Sequence, residues 1–211
     1  MDIKLEPIDK VDINLLQKWQ NDINIKYLTK GFRFPIQFKV VEDWLENLKK
    51  DNGSKRVVYG ILDGNDAVGM ASLHGIDYIN STAQFGIYVS EKKENNKGVG
   101  FSATSLLLDF AFNGMGLQRI ELEVLCVNKN AIHLYKKIGF VEEGTKRSCY
   151  FIDGNYVDVK IMSILRSEFI FDKVNTKNRL VFTLNDEKNW NYDINQVIRI
   201  YRRKMFWVAQ N

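Results

Sequence analysis

The centre of the chain holds the feature that most constrains its fold. An alternating apolar run ends at Val89, and a glycine-rich loop, Asn95–Gly100, follows it. That loop opens a long apolar helix reaching about Asn113, after which Ile120, Leu122, Val124 and Cys126 alternate as a strand. A strand, a tight loop, a buried helix and a second strand must therefore sit in the middle of one sheet. The flanking segments read as hairpins. Arg56–Leu62 and Ala67–Ile76 border the turn Asp63-Gly64-Asn65-Asp66, and Phe140–Glu143 and Val157–Leu165 border Asp153-Gly154. Ahead of them Ile3–Ile8 reads as a strand. Asp12 caps a helix striped by Ile13, Leu16 and Trp19. Asn24–Phe38 has no clean period and reads as a loop, whereas Val40, Val41, Trp44, Leu45 and Leu48 mark a second helix. Asn130–Ile138 reads as a further helix, stopped by Gly139. The sum is an α+β fold with a mostly antiparallel sheet.

At 211 residues the chain fits one domain with an appendage. No apolar run approaches the ~18–20 residues of a membrane span. Residues 172–211 carry 8 basic and 4 acidic side chains, so the whole formal charge of +4 lies there. A neutral body with a basic tail argues against a general nucleic-acid binder. Two cysteines and two histidines make neither a disulfide framework nor zinc spacing, so no metal is expected and the natural compartment is a reducing cytoplasm.

Glycines before a helix let a ligand approach the backbone while the helix N-terminus aims free N–H groups at it, which suits a pyrophosphate. Ala103 replaces the third glycine of a dinucleotide fingerprint, and no Gly-Lys-Ser/Thr follows as in a Walker loop. An ordinary tight turn is the plainer alternative. Thirty residues on stands Asn128-Lys129-Asn130-Ala131-Ile132-His133-Leu134-Tyr135-Lys136-Lys137-Ile138-Gly139-Phe140. The two segments together resemble the acetyl-CoA-dependent N-acetyltransferase superfamily, the GNAT fold. The first matches Gln/Arg-x-x-Gly-x-Gly/Ala with Asn95 in the leading place, and the second matches Asn-x-x-Ala-x-x-Leu-Tyr-x-x-x-Gly-Phe throughout. The run from Gly139 to Gly144, with Phe151 to Asp158, is similar to the branch of spermidine and ribosomal-protein-alanine acetyltransferases. The resemblance spans residues 1–168 and leaves 169–211 as a C-terminal extension.

That resemblance implies a three-layer fold whose sheet splays where acetyl-CoA, the co-substrate, binds. Ile87 and Val89 would take the pantetheine arm. The amides of Lys97, Gly98, Val99, Gly100 and Phe101 would cradle the pyrophosphate, with Asn95 leading the loop. Asn128 would hold the cofactor or the loop near the thioester, and Tyr135 would serve as general acid. Without the motif, Tyr135 reads as a core residue. The polyamine enzymes carry a glutamate where this chain has Gln84, which cannot accept a proton. His74 is the alternative base beside a purely structural reading, with Glu121, Asp77 or an ordered water behind it. The resemblance places acceptor specificity in the first helices and their loop, about Trp19–Trp44, and in the late hairpin near Tyr150–Tyr156; the candidate acceptor residues are Lys30, Arg33, Gln84 and Tyr150.

Lys30 and Arg33 suit a phosphate- or carboxylate-bearing amine, such as an amino-sugar nucleotide or a peptide N-terminus, better than spermidine; solvated surface charge is the plainer reading. In the tail, Asn178–Leu184 reads as a strand and Ile194, Val197, Ile198, Tyr201 and Met205 as one helix face. That helix packs on its own domain or on a second subunit of a homodimer, and no membrane partner is expected. Three function classes stay open: an N-acetyltransferase acting on a primary amine of a small molecule or peptide, an acetyl-CoA-binding sensor without efficient turnover, and an adaptor whose basic tail contacts RNA.

Overall fold

A computed structural model describes residues 2–29, 34–51, 53–90, 98–170 and 179–180. In chain order the elements are β1 (Ile3–Pro7), α1 (Ile13–Asn21), α2 (Ile23–Leu28), α3 (Phe38–Asp51), β2 (Arg56–Asp63), β3 (Asp66–Asp77), β4 (Thr82–Val89), α4 (Val99–Asp109), β5 (Arg119–Leu125), α5 (Lys129–Ile138), β6 (Val141–Ile152), β7 (Asn155–Leu165) and β8 (Arg179–Leu180). One sheet holds all the strands in the order β6-β7-β5-β4-β3-β2-β1-β8. Neighbours are antiparallel except β4 with β5 and β1 with β8. The β4–β5 pair is parallel because α4 carries the chain back across the sheet between them.

Helices cover both faces, giving three layers. On one face α4, the wider helical turn that follows it (Phe110–Gly114) and α5 bury Leu106, Leu107, Phe112, Ile132 and Tyr135 against Ile61, Leu73 and Ile120. On the other, α1 and α3 bury Leu16, Trp19 and Val41, with Val58, Met70 and Tyr88 packed against them. Asp12 caps α1 through its carboxylate, which accepts the Asn14 and Leu15 N–H groups at 2.7 and 3.3 Å.

Two elements differ from the expectations. Asn24–Phe38 is not all loop: Asp22 accepts the Asn24 N–H at 2.9 Å and starts α2, a helix too short for its period to register in sequence. β6 runs through Ile152 rather than stopping at Glu143. Its middle, Glu142–Ser148, has no apolar alternation because it is an edge strand wetted on both faces. It is held by its backbone ladder with β7, to which ion pairs of Lys160 with Glu142 and Lys146 with Glu123 add. The strand expected near Asn178–Leu184 is described only at Arg179–Leu180, where it extends the sheet beside β1. The tail helix lies outside the described residues.

Candidate active site

β4 and β5 are paired only at Thr82↔Arg119, Ala83↔Ile120 and Gln84↔Glu121. Past Gln84 each strand keeps only its outer neighbour. β4 stays with β3 to Val89↔Gly69, while β5 stays with β7 to Leu125↔Val159. The sheet therefore opens into a wedge, and from Phe85 to Val89 the edge of β4 facing β5 has no strand partner among the described residues. Such an edge offers a row of backbone donors and acceptors to an extended ligand. A cavity of about 1300 Å³ fills the wedge and reaches both faces of the sheet.

On the α4–α5 face the cavity meets Gly98, Gly100 and Phe101 at the start of α4. Gly98 has φ 115°, a backbone angle that L side chains rarely adopt, which explains glycine at this cap. A Cβ on Gly100 would lie 3.1 Å from Leu134 Cδ2, so the second glycine lets α4 and α5 approach closely. The first N–H groups of α4 have no intrahelical partner and carry the positive end of its dipole. Lys137 places its ammonium 5.3 Å from the centre of the Phe101 ring, and among the described residues it is the one lysine or arginine lining the cavity. Val99 contributes only backbone here, since its side chain is buried in the core.

Tyr135 rises from α5 into the apex of the wedge. Its ring packs edge-on against Phe85 and Phe140, with centroids 6.2 and 5.6 Å away. Among the described residues its hydroxyl has no hydrogen-bond partner, and burial pushes the phenol up to about 12. It therefore stays protonated at any physiological pH and has a proton to donate in a hydrogen bond. On the opposite face His74 and Gln84 are cross-strand partners and both line the cavity, whereas Ile87 and Val89 line it from the α4–α5 face.

The chain matches the family model described as acetyltransferase (GNAT) domain over residues 5–161. It belongs to the GNAT acetyltransferase family. A spermidine N(1)-acetyltransferase of Vibrio cholerae is 32% identical over 171 residues, covering 80% of this chain and 95% of that protein. A putative ribosomal N-acetyltransferase of Bacillus subtilis is 28% identical over 134 residues, covering 64% and 71%. The Vibrio cholerae spermidine N-acetyltransferase crystallised with CoA and spermine superposes with a TM-score of 0.73 at 29% identity, covering 79% of this chain and 97% of that one. This GNAT protein is thus an N-acetyltransferase with acetyl-CoA as co-substrate. The open β4 edge, the glycine-capped α4 terminus and Lys137 fit a long, polyanionic thioester. Among the described residues no helix is long and apolar enough to cross a membrane.

The structure does not bring every expected residue to this wedge. Asn128 lines the cavity, but its amide is already engaged: Oδ1 accepts the Ala131 N–H at 3.1 Å, and Nδ2 donates to the Leu28 carbonyl at 3.1 Å. It thereby ties α2 to α5. Tyr150 sits on β6 opposite Val157 and is not part of the cavity wall. Of the lesser base candidates, Glu121 is bound to Arg119 at 2.7 Å, and Asp77 accepts the Ile79 and Asn80 N–H groups in a turn. Lys30, Arg33, Asn95 and Lys97 lie outside the described residues. Met70, Glu123 and Lys137 are wall residues with no signal in the sequence, and Trp19 and Trp44 join them. Trp19 and Trp44 bound the stretch expected to set acceptor specificity, but as single residues they read as helix-stripe positions, and a period of 3.6 cannot tell a core residue from one facing a cavity.

Proposed function

We propose that this GNAT protein acetylates a primary amine by direct attack, with the two substrates meeting in the wedge from opposite faces of the sheet. The observation that supports this best is the loss of β4–β5 pairing at Gln84, which opens one continuous cavity to both faces. The amides at the start of α4 bind the pyrophosphate, with Lys137 adding charge, and the open edge at Ile87 and Val89 takes the pantetheine arm. A β4 N–H group stabilises the oxyanion. The amine nitrogen attacks the thioester carbonyl, the C–S bond breaks, and Tyr135 donates a hydrogen bond to the departing sulfur. His74 accepts the amine proton, because imidazole titrates nearest neutrality and Gln84 cannot do this work. In this reading residues 1–168 form the catalytic body. The extension from 169 adds β8 at the sheet edge beside β1, away from the wedge.

The acceptor is a cationic amine before it loses its proton. Among the described residues, the charged side chains on the acceptor side are Asp22 and Glu123, with His74 beside them and no lysine or arginine. The relatives named spermidine N-acetyltransferases lean the same way. The anionic acceptor expected from Lys30 and Arg33 is therefore the second reading. Turnover of acetyl-CoA with a panel of spermidine, simple alkylamines, peptide N-termini and amino-sugar phosphates tests the proposal. Amine-dependent release of CoA is the expected result. Acetyl-CoA binding without release by any amine would leave the sensor reading in its place.

A further inference from the structure

The acceptor side of the cavity has two poles. On the α1–α3 face the register of β3 and β4 sets Met70, Ser72 and His74 opposite Tyr88, Gly86 and Gln84. Near the split the wall is polar: Ser72, His74 and Gln84 surround Gly86. A Cβ on Gly86 would lie 3.1 Å from Ser72 Oγ, so glycine keeps this corner open. Away from the split the wall is apolar. Tyr88 meets Trp19 edge-on at 5.6 Å, and Met70 and Trp44 continue the surface. Val40 stands at the mouth, 51% exposed.

Of the two carboxylates among the described residues on this side, one caps a helix and the other is ion-paired. Asp22 caps α2 by accepting the Asn24 N–H at 2.9 Å, and Glu123 is ion-paired with Lys146. A polyamine would have to bring two remote ammonium groups along an indole and thioether wall where, among the described residues, Asp22 is the one carboxylate without an ion-pair partner, so at least one charge would lie there unmatched. A single amine has no such difficulty, because its one charge lies at the polar pole and is lost before attack. An apolar body behind that amine would cover the partly exposed Trp44, Met70 and Tyr88, which Trp19 backs from the core, with aromatic rings matching the edge-and-face geometry of the wall.

Resting on the acetyl-transfer reading above, we infer that the acceptor is a monoamine whose body is aromatic or bulky and apolar. The wall's tryptophan and tyrosine faces set this preference, and the polar corner around Gly86 orients the nitrogen toward the thioester.

The test is kcat/KM of the full chain at saturating acetyl-CoA for phenethylamine, tryptamine, propylamine, spermidine and glucosamine 6-phosphate. Both aryl amines should exceed propylamine by roughly 10- to 100-fold, the scale for burying one aromatic group, and should exceed spermidine as well. Spermidine or the phosphate-bearing amine as the best substrate overturns this inference and leaves acetyl transfer standing. No turnover with any amine overturns both. Val40→Glu changes an exposed helix position and should lower the phenethylamine-to-propylamine ratio of kcat/KM about tenfold, as should Trp44→Ala. An unchanged ratio in both variants refutes the role of the wall.

Discussion

Replacing Tyr135 by phenylalanine removes one oxygen atom and keeps the ring. The contacts of that ring with Phe85 and Phe140 are retained, so packing is conserved. The hydroxyl that disappears has no hydrogen-bond partner among the described residues. Its loss should therefore change stability by less than about 1 kcal/mol. For a chain of this size that moves Tm by no more than about 4 °C. Catalysis should respond very differently. The phenol, pushed up to about 12 by burial, lies roughly 3.5 pKa units above an ordinary thiol, so full proton transfer to the thiolate is uphill by about 5 kcal/mol. Tyr135 thus acts by donating a hydrogen bond as negative charge develops on sulfur. Losing such a donor should lower kcat about 10²-fold, or about 2.7 kcal/mol, with acetyl-CoA affinity nearly intact. The wild-type profile should also show no alkaline decline from this residue below about pH 11. Thiol release measured beside a thermal melt checks all of this. A kcat within threefold of wild type with an unchanged melt would refute the assignment, and a large drop in Tm would refute the claim that the hydroxyl is structurally idle.

Acetyl-CoA at a hundredfold excess over its Kd should stabilise the fold by about 2.7 kcal/mol, a rise of roughly 5–10 °C in Tm. Gly98→Glu should abolish that rise, because it forces a side chain onto a φ of 115° and adds negative charge at the helix terminus; an undiminished rise would remove the loop from the cofactor site. His74→Gln should lower kcat/KM about 10²-fold at neutral pH, with the deficit shrinking as pH approaches the amine's own pKa near ~10. A deficit that stays constant with pH would count against proton removal by His74. Glu143 is held at about 2 by the Arg119 guanidinium and the Ser163 hydroxyl. Its folded value is depressed, so its contribution is present above the unfolded value near ~4.3 and fades as pH falls toward 2. Glu143→Gln should flatten the dependence of Tm on pH across that window and leave it unchanged above pH 6.

Local chemistry made much of this protein legible in its sequence. The Asp12 cap, the turn at Asp63–Asp66, the alternation of β5 and the stripe of α3 each depend on residues a few positions apart, and each formed where expected. The glycine at position 98 and the segment from Asn128 to Phe140 likewise carried the family, because a left-handed helix cap and a close helix–helix approach demand particular residues in sequence. Other features depended on contacts between distant segments. β6 is a strand because its backbone pairs with β7 from Val141 to Ile152, with Glu123–Lys146 and Glu142–Lys160 ion pairs across the sheet, and nothing in its own polar run says so. Asn128 is occupied by Leu28, a partner 100 residues away. The acceptor wall joins Trp19, Trp44, Met70 and Tyr88 from α1, α3, β3 and β4, and a hydrophobic stripe looks the same whether it faces a packed core or a cavity. Periodicity reports which face of an element is apolar. Only the tertiary arrangement, by parting β4 from β5 after Gln84, decides that part of that apolar face is left to meet a substrate.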